Sequence, residues 1–177
     1  MLKNPVLEAK GAWKGYRGVN GLHRWILQGV NLELKEGEFI SILGKPASGK
    51  TTLLKMLSFF EFPDKGEIYF QGRLVGKSGA EELEHMHNER VWLIEQRLPA
   101  EQIITKVKKN LAAVLLDEPA GCYNSGSASP FLKNIHFLNS CGIAVAITTQ
   151  NPAAASRAPS VYKLNGGKIV KITGATR

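Results

Sequence analysis

One stretch of the chain combines the residue types that hold a polyphosphate: Gly44-Lys45-Pro46-Ala47-Ser48-Gly49-Lys50-Thr51. It meets every fixed position of the P-loop pattern. Glycines let successive backbone N–H groups curl around phosphate oxygens, and a following helix N-terminus adds partial positive charge. Lys50 would reach the β- and γ-phosphates, and the Thr51 hydroxyl would be a ligand for Mg²⁺. The predicted nucleotide-binding residues are Gly44, Lys45, Pro46, Ala47, Ser48, Gly49, Lys50, Thr51 and Thr52.

The segments on either side of this loop are those that the motif requires. Residues 38–43 form a short, mostly apolar run that predicts a buried strand, and residues 52–57 continue beyond the loop as a helix. Strand, glycine-rich loop and helix is the P-loop context. A glycine loop that only joins a strand to a helix is the plain structural alternative.

A second segment with the chemistry of a nucleotide site is Leu111–Pro119. Its six apolar residues predict a strand buried on both faces of a parallel sheet, and Asp117 follows at the carboxyl end, where open α/β sheets bind ligands. Asp117 would hold the metal directly or through water, and Glu118 would polarise the attacking water. Taken alone, the segment also fits a buried strand that ends in a solvated acidic turn.

Three further segments extend these two motifs into a resemblance to the nucleotide-binding domain of ABC transporters. Residues 27–39 are similar to the segment that enters the Walker A strand of that family. Residues 62–72 are similar to its proline-containing hairpin, and residues 91–96 resemble the strand that ends in the Q-loop glutamine. The resemblance runs from about Trp13 to Lys171 and is nearest to the lipoprotein-release and macrolide-export branch.

The resemblance implies roles for individual residues. Gln96 takes the role of the Q-loop glutamine, as a metal ligand and catalytic group, and Asp117-Glu118 match the Walker B pair with its catalytic glutamate. Tyr16 lies where the family stacks an aromatic ring on adenine. Trp13 is close in sequence, and either ring could instead be packed in a core.

The chain also departs from the family pattern. Only twenty residues, Arg97 to Leu116, separate Gln96 from Asp117, where the family has a helical subdomain and its LSGGQ signature. No LSGGQ occurs in the sequence, and the similar-looking 164–168 is predicted to be a hairpin turn. The resemblance thus implies that the Walker motifs of the site are intact. The signature motif, which would complete the site from the opposite subunit of a dimer, is missing.

Three single positions are changed as well. Asn124 stands at the usual aspartate of the D-loop, and Gln150 aligns with the switch histidine, the third catalytic position. Glutamine can donate a hydrogen bond to a γ-phosphate but cannot carry a proton, so charge assistance is lost. Ala47 replaces a usual loop glycine and adds a Cβ near the phosphates.

The predicted fold class is α/β. Residues 1–177 form a single ABC-type domain, abridged between 97 and 110, with a P-loop core of mostly parallel sheet and helices on both faces. An N-terminal antiparallel β-subdomain is expected over about 7–43, and the helical subdomain is missing. The P-loop helix is expected to run to about Phe60. The remaining expected elements are a hairpin over 66–75, a helix over 78–90 and a crossover helix over 130–139.

Composition narrows the function classes. A chain with 44% hydrophobic residues and eighteen glycines is globular, and no apolar run approaches the length of a membrane span. The start lacks the apolar core of a signal peptide, and Cys122 and Cys141 fit reduced thiols of a cytoplasmic protein. The net charge of +8 could suit nucleic acid or an anionic membrane surface, but the basic residues are scattered.

The resemblance implies an ATP-binding subunit that powers an ABC transporter by ATP hydrolysis, with impaired turnover because the signature is missing. ATP and Mg²⁺ are its expected cofactors. A membrane permease subunit or another ABC ATPase subunit is the expected partner, which would place the chain on the inner face of the membrane. One alternative is a regulatory module, or a degenerate gene product, that binds Mg·ATP without hydrolysis. A nucleic-acid-associated ABC-type ATPase is another, although no nucleic-acid partner is expected.

Overall fold

Two β-sheets and three helices make up the part of the chain that the computed structural model describes, which is residues 5–19, 21–76, 90–95, 110–119 and 129–172. In chain order, the elements are β1 (Pro5–Arg17), β2 (His23–Lys35), β3 (Phe39–Leu43), α1 (Lys50–Leu57), β4 (Lys65–Phe70), β5 (Arg73–Val75), β6 (Val91–Glu95), β7 (Ala113–Asp117), α2 (Ser129–Ser140), β8 (Ala144–Thr149), α3 (Pro152–Ala155), β9 (Ser160–Asn165) and β10 (Lys168–Ile172).

The first sheet is antiparallel and has the strand order β2-β1-β4-β5. Its strands β4 and β5 are the hairpin predicted over 66–75, which is confirmed. The prediction of an antiparallel region over about 7–43 was too long. Strand β3 lies in the other sheet, between β9 and β8, and pairs with both in parallel.

The second sheet has the strand order β10-β9-β3-β8-β7-β6. All neighbouring pairs are parallel except β10 with β9, which form the hairpin predicted around residues 164–168. The strand before Gln96 and the strand that ends in Asp117 are direct neighbours, with Val91 opposite Ala113 and Glu95 opposite Asp117. The predicted α/β class, with a mostly parallel sheet and an N-terminal antiparallel one, is confirmed.

Helix α1 ends at Leu57, three residues before the predicted end at about Phe60. Phe59 adopts a left-handed conformation with φ of 67°. The Phe59 N–H then donates to the Met56 carbonyl, and the Phe60 N–H donates to the Lys55 carbonyl. This is the Schellman arrangement, which satisfies the last carbonyls of a helix and stops it.

The core lies on both faces of the six-stranded sheet, because alternate residues of β7 point to opposite sides. Ala113 and Leu115 pack with α1 and the antiparallel sheet. Val114 and Leu116 pack with Phe131 and other residues of α2. Helix α2 occupies the predicted crossover position, so the prediction of helices on both faces is confirmed.

Several predicted segments lie outside the described residues. They are the helix over 78–90, except for Arg90, the abridged link over 97–109, Gln96, and the D-loop position Asn124. Within the described ranges, no helix combines the length and the apolar character needed to cross a membrane.

Candidate functional site

The P-loop joins β3 to α1 in a tight backbone path that two glycines make possible. Gly49 precedes the first residue of α1 with φ of 99°, and a Cβ there would lie 2.9 Å from Leu27 Cδ2. A Cβ on Gly44 would lie 2.9 Å from the Leu164 carbonyl oxygen. No side chain of the described residues caps α1, and its first turn contains no acidic residue. The N–H groups of that turn are therefore suited to an anion.

Lys50 is buried in the loop that contains it, with 5% of its surface exposed. Its Nζ donates to the Gly44 carbonyl at 2.8 Å and to the Lys45 carbonyl at 2.9 Å. It also forms an ion pair with Glu118, with 3.0 Å between Nζ and Oε1. Three acceptors thus match the three N–H donors of the ammonium group.

Asp117 lies at the carboxyl end of β7, where two hydroxyl groups hold its carboxylate. Thr51 Oγ1 donates to Oδ2 at 2.6 Å, and Thr148 Oγ1 donates to Oδ1 at 2.6 Å. Asp117 is 6% exposed. The first turn of α1 and the ends of β7 and β8 meet here, so the two predicted metal ligands Thr51 and Asp117 are in direct contact. A hydroxyl and a carboxylate are oxygen ligands of the kind that Mg²⁺ prefers, so the described residues fit that ion.

Glu118 directly follows β7 in a left-handed conformation, with φ of 43°. Its N–H donates to Thr148 Oγ1 at 2.9 Å, and its side chain, which is about one third exposed, reaches Lys50. A non-glycine residue at positive φ is strained, and such residues cluster at functional sites. The predicted catalytic carboxylate is therefore at the P-loop, held on the lysine ammonium.

Tyr16 lies near the end of β1 and contacts the helix that the P-loop begins. Its hydroxyl donates to the Glu61 carboxylate, and its side chain lies near that of Thr52 in α1. Burial raises the pKa of Tyr16 above its ordinary value, and the Glu61 carboxylate raises it further. The ring remains 41% exposed. An exposed aromatic ring beside α1 is available for stacking on a base.

Trp13, the alternative aromatic residue, packs against other side chains of the antiparallel sheet. Its ring lies 5.4 Å from that of Trp25 in an edge-to-face arrangement. The ammonium of Lys65 lies 5.9 Å from the centre of the Trp13 ring. These contacts make Trp13 part of a packed cluster, whereas Tyr16 interacts with Thr52 of α1, which favours Tyr16 as the stacking ring.

The remaining predicted residues are placed as follows. Lys45, Pro46 and Ala47 form the exposed tip of the loop, and Ala47 has φ of 59°. Ser48 Oγ is buried with no hydrogen-bond partner among the described residues, and Thr52 is half-buried. Gln150 is exposed and directly follows β8. Gln96 lies outside the described residues, so its predicted roles at the metal and in catalysis stay predictions.

Sequence reasoning missed Thr148 as a member of this site. It is the fifth residue of β8, it is fully buried, and it contacts both Asp117 and Glu118. The only signal in the sequence is a pair of threonines at the end of an otherwise apolar strand. That pattern does not reveal which neighbouring strand the hydroxyl faces.

The family model described as ABC transporter matches residues 27–172. This range contains the P-loop, Asp117, Glu118 and Gln150 and covers most of the chain. The chain belongs to the ABC transporter family. The resemblance inferred from the sequence motifs is thereby confirmed.

Curated relatives are ATP-binding proteins of this family. The macrolide export ATP-binding/permease protein MacB 1/2 of Paracoccus denitrificans is 26% identical over 228 residues, which cover 97% of this chain and 34% of that protein. The uncharacterized ABC transporter ATP-binding protein MJ1508 of Methanocaldococcus jannaschii is 30% identical over 130 residues, 73% of this chain and 58% of that protein. The lipoprotein-releasing system ATP-binding protein LolD of Aquifex aeolicus is 34% identical over 91 residues, 51% of this chain and 38% of that protein. The chain thus spans between about a third and three fifths of the length of these relatives.

Solved structures show the same fold. The dimeric structure of MJ0796, a bacterial ABC transporter cassette, has a TM-score of 0.81 at 18% identity, covering 97% of this chain and 100% of that chain. Its post-hydrolysis state bound to ADP and Pi has a TM-score of 0.78 at 18% identity, with the same two coverages. The chain therefore has the fold of an ABC cassette.

Proposed function

We propose that this chain binds Mg·ATP as the ATP-binding subunit of an ABC transporter, and that its own turnover of ATP is slow. The observation that carries the proposal is the convergence of Lys50, Thr51 and Asp117 around the start of α1. A buried ammonium beside the start of a helix that no described side chain caps suits a polyphosphate, and a hydroxyl beside a carboxylate suits its magnesium ion.

Each part of the site has a role in this proposal. Lys50 binds the β- and γ-phosphates, and the N–H groups of the loop and of the first turn of α1 bind phosphate oxygens. Thr51 and Asp117 hold Mg²⁺, which neutralises phosphate charge, and Gln96 adds a further ligand. Tyr16 stacks on the adenine ring. Glu118 leaves Lys50 when phosphate arrives and then orients water.

Slow turnover is proposed because groups that stabilise charge on the γ-phosphoryl are missing from the sequence. No LSGGQ is present to be donated in a homodimer, and Gln150 replaces a group that could carry positive charge. The alignment with the macrolide export relative supports a shortened domain. It extends over 228 residues, more than the 177 of this chain, so that relative has residues without a counterpart here.

The proposed partner is a membrane permease subunit or a second ABC ATPase subunit. The macrolide export relative is an ATP-binding/permease protein, which supports a partner that spans the membrane. A complete ABC subunit would offer its signature to the Walker motifs of this chain. The chain would then lie on the inner face of the membrane, and nucleic acid is not among its proposed partners.

Calorimetric titration with Mg·ATP tests the binding proposal. Lys50→Ala should weaken binding at least about tenfold, because it removes a charged hydrogen-bond donor to the phosphates. Lys133→Ala is the matched control, since it removes an exposed ammonium from α2. Thermal unfolding of both variants checks that they are folded. Equal affinity for the wild type and Lys50→Ala would refute the proposal.

Phosphate release from the purified chain tests the turnover proposal. We expect very slow release with little cooperativity in ATP concentration, and no recovery in Gln150→His, because the signature is still missing. Rapid release that Glu118→Gln abolishes would contradict slow turnover. Binding with no release, even with a complete ABC subunit added, would favour the second candidate, a regulatory module that never hydrolyses ATP.

A further inference from the structure

Thr148 lies at the centre of the site, and the proposed function assigns it no role. It is fully buried in β8, and its hydroxyl makes two hydrogen bonds to the adjoining strand segment. It donates to Asp117 Oδ1 at 2.6 Å and accepts from the Glu118 N–H at 2.9 Å. The single proton of the hydroxyl is therefore committed to the carboxylate.

The register of the sheet makes this contact possible. Strands β7 and β8 are parallel neighbours with Leu116 opposite Ile147, which brings the next residues of both strands together. The two oxygens of Asp117 then have separate partners, Thr148 at Oδ1 and Thr51 at Oδ2. The hydrogen bond from Thr148 fixes the plane of the Asp117 carboxylate and directs Oδ2 toward the Thr51 hydroxyl in the first turn of α1.

The second hydrogen bond of Thr148, from the Glu118 N–H, helps to position the predicted catalytic carboxylate. Glu118 has φ of 43°, a conformation that costs a non-glycine residue free energy. The bond from its N–H to Thr148 favours this conformation, and the side chain then points to Lys50. One hydroxyl thus sets the positions of two carboxylates with different predicted tasks.

We propose that Thr148 is a positioning residue for the magnesium end of the nucleotide site. This role rests on the proposed function. The Thr148 hydroxyl holds Asp117 Oδ1, so that Oδ2 is presented to Mg²⁺ together with the Thr51 hydroxyl. Partners that orient a metal ligand in this way typically contribute about 10- to 100-fold to metal affinity. A merely structural hydroxyl would change the stability of the fold and leave the effect of Mg²⁺ on nucleotide affinity unaltered.

Calorimetric titration with ADP, in the presence of Mg²⁺ and in its absence, distinguishes these roles. Thr148→Val removes the hydroxyl at similar volume. Its Mg-free ADP affinity, which release of Glu118 from Lys50 would raise by up to about fivefold, is the reference for its own magnesium gain. The gain in affinity on adding Mg²⁺ should fall about 10- to 100-fold, and Thr148→Ser should restore it. Thr149→Val is the matched control, since its buried hydroxyl bonds the Asn151 N–H instead.

The outcomes separate this inference from the proposed function. If the wild type does not bind ADP under either condition, the proposed function fails, and this inference fails with it. If the wild type gains affinity with Mg²⁺ and Thr148→Val keeps that full gain, only the positioning role is overturned. Should Thr148→Val not fold, Thr148→Cys supplies a weak donor of similar size. A full magnesium gain in that variant would overturn the role, and a reduced gain would support it.

Discussion

Replacing Glu118 by glutamine should tighten the binding of ADP to this chain in the absence of Mg²⁺. In the structure the Glu118 carboxylate lies 3.0 Å from Lys50 Nζ, on the ammonium that is predicted to receive phosphate. Nucleotide must therefore displace one anion before another can take its place. Glutamine keeps the size of the side chain but removes the negative charge that competes with phosphate.

The size of the effect follows from the geometry of the ion pair. At 3.0 Å and an effective dielectric constant of about 20, the direct attraction is about 5.5 kcal/mol. Most of it is offset, because the Glu118 side chain is 33% exposed and regains hydration when it leaves. Displacing Glu118 from Lys50 therefore costs ADP binding a net of about 1 kcal/mol, which corresponds to about a fivefold higher Kd.

Calorimetry with Mg-free ADP measures this difference, since ADP avoids hydrolysis and omission of Mg²⁺ removes any contribution from metal ligands. Glu36→Gln is the matched control. It removes the same charge from the exposed turn before β3, at the opposite end of that strand from the P-loop. An ADP affinity that is equal to or weaker than wild type in Glu118→Gln would show that the ion pair does not compete with phosphate.

Three further predictions concern stability and are checked by thermal or urea unfolding. Ala47→Gly should stabilise the chain by about 0.5–1 kcal/mol, because φ of 59° strains alanine and suits glycine; a loss of stability would contradict this. Asn151→Ala should cost about 1 kcal/mol, since Asn151 Oδ1 accepts from the Ala153 N–H at the start of α3, and no loss would exclude the cap. Phe131→Ala should cost about 3–5 kcal/mol, because that ring is 1% exposed in the core; a cost below 1 kcal/mol would show that α2 packs loosely.

The parts of the site that could be predicted from the sequence are those encoded locally. The P-loop, Lys50, Thr51 and Asp117 are recognisable because motif spacing and an apolar strand fix their positions along the chain. The direct contact between Thr51 and Asp117 joins residues 66 positions apart. The sequence indicated only that both would be metal ligands, through the P-loop pattern and the rule that open α/β sheets bind ligands at the carboxyl ends of their strands.

The features of the fold and site that could not be predicted depend on contacts between residues far apart in the sequence. Strand β3 was grouped with the antiparallel opening because its apolar residues say nothing about its partners, which are β8 and β9. Thr148 was missed because its role depends on the register of β7 and β8. The choice between Tyr16 and Trp13 could not be made from the sequence, because it depends on their neighbours, Thr52 for one and Trp25 for the other. The adenine-stacking role of Tyr16 stays a prediction.

The hydrogen bonds of Lys50 to Gly44 and Lys45 also bear on how fast nucleotide associates. They join carbonyl groups of the loop to the first side chain of α1, so contacts within the chain hold the curved shape of the loop. A loop that is already in its bound shape loses little conformational entropy when nucleotide binds. Association should then be a single concentration-dependent phase in stopped-flow traces, set by diffusion and by exchange of Glu118 for phosphate, with no preceding isomerisation of the loop.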